Sequence, residues 1–433
     1  MKHGGEATTS IVTVYGDVVR RLPAHGDSPR VAPMTTFGTR LRARHAATLA
    51  LFVVVVAGCG QTGTLPEQSQ PSPPGPGVVL AQVVASPAED VASALADMRD
   101  PRLPPPLINP DEIWSGGPPP DGIPALYQPR FERARDIDWL AEAEPVLAVT
   151  IGGETRAYPI QIMTWHEIAN DTIGGIPVAV TYCPLCNSGV AFDRRAAGRI
   201  LTFGTSGLLY NYNLVMYDWQ TRSLWPQLTG QAAMGVLTGT TLAAYPIAAV
   251  AWREFRAAHP DAWVLNRNTG YQRDYGRNPY VGYDDPNSGP PPGGADARLP
   301  AKERVIGLSG PHEALAIVRA TLAHDGVRAI TVDGRRLIVW HRPGQASALD
   351  RGTLAGGREI GTVAVFESTV DGRTLQFAPE GDGFTDQETG SHWTVLGHAT
   401  SGGLAGRDLT PYPYLDTFWF AWVAFKPNTY IAG

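Results

Sequence analysis

Short apolar runs punctuated by glycine set the pattern of this chain from residue 147 onward. Positions 147–151, 157–162, 178–182, 190–192 and 200–203 are rich in Val, Ile, Thr, Tyr and Phe and too brief for helices, so the pattern predicts strands. Upstream, residues 46–56 make one unbroken apolar run that ends Val53-Val54-Val55-Val56-Ala57-Gly58-Cys59. The run is too short to span a bilayer, and Arg40, Arg42 and Arg44 supply a positive segment before it. This predicts a lipoprotein signal that starts at Met34 and leaves Cys59 as the lipid-modified first residue of the mature chain. Residues 60–86, rich in Pro, Gly, Ser and Gln, cannot bury enough apolar surface to order themselves and read as a tether. A helical pattern over 91–99 and a Pro-rich run over 104–120 read as an arm packed on the main body.

The β-rich part repeats itself. Phe192-Asp193 with Leu201-Thr202-Phe203 is echoed by Phe366-Glu367 with Leu375-Gln376-Phe377. Asp218, Thr221, Ser223 and Trp225 are echoed by Asp386, Thr389, Ser391 and Trp393, and Pro246, Trp252 and Pro260 by Pro413, Trp419 and Pro427. Three blocks that keep their internal spacing predict two copies of one unit. The expected fold is mainly β with short helices (α+β), in two related β-rich halves from an internal duplication. The expected order is a leader over 1–58, the tether over 59–86, the arm over 87–146, a first half over 147–284, a linker loop over 285–300 and a second half over 301–433.

Composition narrows the function classes. A hydrophobic fraction of 43% with 18% charged residues is a globular balance, and a net charge of −6 argues against a nucleic-acid surface. No Walker-type loop, dinucleotide glycine fingerprint, His-Glu-x-x-His helix or Gly-x-Ser-x-Gly elbow is present. The chemistry concentrates instead in Cys183-Pro184-Leu185-Cys186, two of only three cysteines in the chain. The second copy has no thiols at the matching place, where counting back from Phe366 gives Gly357, and it also lacks part of the segment from Gly204 to Asn211. A duplicated scaffold with chemistry in one half predicts an active first copy and a supporting second one.

Several spaced motifs carry a resemblance to a known family. His166-Glu167-Ile168-Ala169-Asn170-Asp171, Thr181-Tyr182-Cys183-Pro184-Leu185-Cys186-Asn187-Ser188, Met216-Tyr217-Asp218 with Ser223-Leu224-Trp225, Tyr275-Gly276-Arg277-Asn278-Pro279-Tyr280 and Phe418-Trp419-Phe420-Ala421-Trp422 resemble the bacterial domain-of-unknown-function family numbered 3179 (DUF3179). The resemblance covers residues 147–430 and implies membership without an activity, so function has to come from the residues.

The thiol turn admits three readings. Between two β-patterned runs, a Cys-Pro-x-Cys hairpin turn lets both sulfurs face one metal ion. With Cys59 lipidated, the remaining ligands must be other residue types, and His166 is the leading candidate. Two thiolates and an imidazole suit copper, or zinc with an open position, and Glu167 and Asp171 are candidates to orient the imidazole. The second reading is a thiol-disulfide oxidoreductase, and the third an envelope scaffold with a structural disulfide, which export favours. In each case the expected setting is the cell envelope outside the cytoplasm, held to a membrane by the lipid anchor, with no nucleic-acid partner. His341, His392 and His398 are weaker ligand candidates, and His259 and His312 read as loop residues. Asp218 and Asp386 read as turn carboxylates, the four repeated tryptophans as core anchors, and Arg277-Asn278-Pro279-Tyr280 as either a site wall or a surface turn.

Overall fold

Hairpins joined by glycine pairs open the β-rich part of the chain. Strand β1 (Pro145–Ile151) turns back into β2 (Glu154–Pro159) through Gly152-Gly153, whose φ values of 59° and 80° suit the two-residue turn that matches strand twist. Helix α1 (Ile160–His166) follows, then the antiparallel meander β3 (Ile168–Ile173), β4 (Ile176–Cys183) and β5 (Ser188–Asp193). Next come β6 (Phe203–Tyr210), β7 (Asn213–Asp218) and β8 (Leu224–Pro226), again antiparallel. Strand β9 (Ala248–Ala251), helix α2 (Trp252–Ala258) and β10 (Trp263–Leu265) then return to the first hairpin. There β9 lies antiparallel to β1, and β10 parallel to β2.

The same sequence of pairings runs through the rest of the chain. It comprises a hairpin of β11 (Arg304–Ser309) and β12 (Ala314–Val318), helix α3 (Arg319–Asp325), and a meander of β13 (Val327–Val332), β14 (Arg335–Arg342) and β15 (Thr362–Glu367). A four-stranded sheet follows, of β16 (Phe377–Glu380), β17 (Gly383–Asp386), β18 (His392–Trp393) and β19 (Ala399–Ser401). Strand β20 (Leu415–Phe418) then pairs antiparallel with β11, helix α4 (Trp419–Phe425) follows, and β21 (Tyr430–Ala432) runs parallel to β12.

This computed structural model describes residues 92–288 and 296–432. The protein is mainly β with few helices, and among the described residues each of the four α-helices is seven residues long. Among the described residues no helix is long and apolar enough to cross a membrane. The lipoprotein signal, Cys59 and the tether lie outside the described residues, as does the middle of the 285–300 loop.

Two local expectations need correction. The strand expected over 157–162 ends at Pro159, and the chain turns into α1 at Ile160. Every side chain of α1 is buried, so its apolar run shows no helical stripe and imitates a strand. The helical pattern over 91–99 yields turns across 92–99. Ser93 Oγ accepts from the N–H of Ala96 and Asp97 Oδ1 from that of Arg99, bonds that compete with a helix too short to sustain itself. The arm does pack on the body: Ile113–Ser115 adds a strand to β6.

Matching turns close the two four-stranded sheets. Asp218 accepts from the Thr221 N–H at 2.6 Å and from Trp225 Nε1 at 3.0 Å, while Asp386 accepts from the Thr389 N–H at 2.6 Å and from Trp393 Nε1 at 2.9 Å. Trp225 and Trp393 are fully buried, and aromatic-to-alanine costs put each at about 3–5 kcal/mol of stability. The halves do not keep separate cores. The largest apolar cluster joins Val180, Tyr182 and Cys186 to Ala348, Leu349, Phe418 and Phe420.

Candidate thiol site

The two cysteines sit at either end of the tight turn that joins β4 to β5. Cys183 is the last residue of β4 and pairs in register with Ser188, the first of β5. Asn187, at a φ of 51°, closes the turn with its N–H on the Pro184 carbonyl at 3.2 Å. Both thiols are free and buried. The turn between β6 and β7, Asn211-Tyr212, has φ values of 50° and 62° and brings the Tyr212 carbonyl onto the sulfurs, 3.4 Å from Cys186 Sγ and 4.0 Å from Cys183 Sγ. Strands β16 and β17 have four residues each, against eight for β6 and six for β7, and loop 343–361 joins β14 to β15.

The two sulfurs are tuned in opposite directions. Burial alone raises a thiol, but Cys183 also receives a hydrogen bond from the Cys186 thiol and others from the N–H groups of Leu214, Cys186 and Leu185, which hold it below the ordinary thiol range. Cys186 is pushed well up by burial and by the hydrogen bond and charge of Cys183. Of the two hydrogen-bonded thiols, Cys183 is thus the one that gives up its proton more readily. Asn213 donates from Nδ2 to Cys186 Sγ at 3.6 Å and to Gln227 Oε1 at 2.8 Å. Gln227 in turn donates to Thr181 Oγ1 at 2.9 Å and accepts from the Ser188 hydroxyl at 3.1 Å, fixing the floor of the turn.

Glu167 is the acid nearest the pair in its electrostatics. It ends α1 in a left-handed conformation, φ 58°, that a residue with a side chain adopts at a cost of about 1–2 kcal/mol. Its N–H bonds the Met163 carbonyl, and its own carbonyl takes the Tyr182 N–H at 2.8 Å, which locks the helix end onto β4. The carboxyl faces a recess it shares with Cys183, Leu185, Thr205 and Gly207, with room for about one water molecule. Burial, and then the charge on Cys183, push this carboxyl well above the ordinary range.

His166 stands apart from the sulfurs. Its Nδ1 lies 2.7 Å from the Pro124 carbonyl, which can only accept, so Nδ1 carries the proton and Nε2 accepts from the Tyr275 hydroxyl at 2.6 Å. Burial pulls the imidazole down to about 4, and it stays neutral. Asp171 engages Arg156 through both carboxylate oxygens, at 2.8 and 2.7 Å, and Tyr158 at 2.5 Å. That buried ion pair fastens β3 to β2 and gives the imidazole no acceptor. Among the described residues no group of three or more His, Cys, Asp and Glu side chains is placed to hold a metal ion. His341 bonds the Ile360 carbonyl, His392 faces Asp382 and His398 faces Asp408. Asn278 is tied by its N–H and Nδ2 to the carbonyls of Gly352 and Arg351, so the Arg277–Tyr280 segment staples the first half to loop 343–361.

Sequence reasoning missed several parts of this site. The Glu167 carboxyl was read as support for His166, and the Tyr212 carbonyl, Asn213 and Gln227 carried no motif. The one available signal was the segment from Gly204 to Asn211, part of which has no match in residues 301–433. The second half also reaches in: Thr417 Oγ1 donates to the Cys186 carbonyl at 2.7 Å, the Phe418 N–H donates to the same oxygen at 3.1 Å, and Asn187 Nδ2 donates to the Asp416 carbonyl at 3.2 Å.

Residues 120–429 match the model of a family described as "Protein of unknown function (DUF3179)". No curated protein and no solved structure matches the chain significantly.

Proposed function

The chain belongs to the DUF3179 family, whose description assigns no reaction, and from the chemistry of its site we propose a thiol-disulfide oxidoreductase of the cell envelope that works through Cys183 and Cys186. The observation that carries this reading is a pair of free, buried thiols on one turn, oppositely shifted by their mutual hydrogen bond, near the buried Glu167 carboxyl. Cys183 is the nucleophile. Its thiolate attacks one sulfur of an incoming disulfide, the Cys183 S–S bond forms as the substrate bond breaks, and one substrate thiolate leaves with the Glu167 proton. Loss of the Cys183 charge removes one cause of Glu167's raised pKa, which favours that proton donation, and it also removes the Cys183 charge that holds Cys186 up, so the Cys186 thiol becomes more acidic and passes its proton to the Glu167 carboxylate. Cys186 then attacks Cys183 Sγ and releases the second substrate sulfur as a thiolate, so two electrons pass to the substrate and the pair ends as a disulfide. Because both sulfurs are buried, the Asn211-Tyr212 turn has to lift for a substrate to enter.

A copper or zinc centre of Cys183, Cys186 and His166 needs a third donor at the sulfurs. The His166 ring nitrogens face Pro124 and Tyr275, so these residues as placed do not fit such a centre. The lipid anchor at Cys59 belongs to the proposal, since it keeps the site on the oxidising side of a membrane. So does the duplication: two runs of hairpin, helix, meander and four-stranded sheet, with matching Asp218 and Asp386 turns, support one ancestral unit whose second copy became a cover for the first.

Thiol counting on the purified full-length protein in graded glutathione buffers tests the reading. Two thiols should become none and return with a single midpoint, unaffected by a chelator. A chelator requirement would point to metal, and a disulfide that survives excess dithiothreitol in the native state would point to a scaffold; either result removes the oxidoreductase.

A further inference from the structure

Behind the thiol turn, between the two halves, lies a second cavity whose charges do not cancel. Tyr182, Asn187 and Gly189 form its first-half wall, and Arg304, Gln345 and Tyr414 its second-half wall. Its buried ion cluster contains two guanidiniums, Arg304 and Arg319, and one carboxylate, Asp416. Arg304 Nε and Nη2 both bond Asp416 Oδ1, at 3.0 and 2.8 Å. Arg319 bonds the other carboxylate oxygen and the carbonyls of Ile360 and Gly361 with its three nitrogens. Among the described residues Arg304 Nη1 finds no acceptor, although the side chain is only 9% exposed. The nearby Asp284 does not supply the missing charge, because its carboxylate is bonded to Arg358 and Ser347.

An orphaned guanidinium N–H inside a protein is destabilising, and an uncompensated buried charge more so. Such a group persists where something absent from the protein atoms completes it. We propose that this cavity is a binding site for a small monovalent anion, a halide or a carboxylate the size of formate, held by Arg304 Nη1. The size fits: the cavity has room for about two water molecules, and Tyr182, Asn187, Gln345 and Asp416 are among the residues that line it. The charge fits as well, since one negative ion balances the cluster. The site is independent of the redox reading, because it needs neither thiol.

Bromide is the probe. A crystal of the full-length protein soaked in bromide should show an anomalous peak in contact with Arg304 Nη1, and the wild-type protein tests this without any variant. In solution, chloride should raise the melting temperature saturably above that in gluconate, an anion too bulky for the cavity, at equal ionic strength. Arg304→Met should erase that difference, and Arg358→Met, outside the cluster, should keep it. An empty cavity in the anomalous map, coincident chloride and gluconate curves, or a chloride effect that persists in Arg304→Met would each overturn the assignment.

Discussion

Replacing Glu167 with Gln keeps the volume and the left-handed backbone but removes the titration, so it isolates the charge. The folded carboxyl is fully enclosed against the Cys183 sulfur and stays protonated well above its ordinary 4.5, whereas in the unfolded chain it ionises near that value. Between the two values the folded state binds one proton more than the unfolded state. Stability therefore falls as pH rises through that window, by about 1.4 kcal/mol per pH unit for one proton. The variant lacks this slope. Urea unfolding of both proteins at a series of pH values in a reducing buffer should give a difference in stability, wild type minus variant, that drops by about 1.4 kcal/mol per unit starting at pH 4.5. In a Cys183→Ser background the window should narrow, because the neighbouring negative charge is one of its two causes. Parallel pH profiles for wild type and Glu167→Gln would refute the buried acid, and with it the proton route to Cys186.

Asp218→Ala and Asp386→Ala each strip an acceptor from a backbone N–H, a Thr hydroxyl and an indole, and each should cost about 3–5 kcal/mol in urea unfolding; a cost under about 1 kcal/mol at either site would break the equivalence of the two turns. For His166 the sign is the reverse of Glu167. Its folded value of about 4 lies below the ordinary 6.5, so the folded state binds fewer protons in that window and stability is lost as pH falls through it. The His166 ring resonances should stay those of a neutral imidazole until pH approaches about 4, and titration near 6.5 would disprove the paired Pro124 and Tyr275 bonds.

What the sequence conveyed depended on how local each signal was. The hairpin turn at Cys183 to Ser188 was legible because β-branched runs flank it and the turn occupies four residues. The Asp218 and Asp386 turns were legible because both ends of each hydrogen bond lie within seven residues. What Glu167 lies near was not legible, because it ends α1 at a positive φ and lines a recess with Cys183 and Leu185, while the neighbouring His166 bonds Tyr275. The Tyr212 carbonyl and the Arg304 cluster depend on backbone placement and on contacts across the halves, which no spacing in the chain encodes.

The hydrogen bond from Thr417 to the Cys186 carbonyl spans 231 residues, and this sets the order of events when the protein is made. As the chain emerges, Cys183 and Cys186 come out long before the strand that covers them. Until β20 docks, they are a pair of ordinary thiols on an incomplete sheet, without the burial that separates their affinities for a proton. Closure of so distant a contact is a late step in folding. The enclosure of the pair is therefore complete only when the last strands are in place, and a chain that stalls or is clipped before residue 415 carries the same two cysteines without the Thr417 and Phe418 bonds to the Cys186 carbonyl.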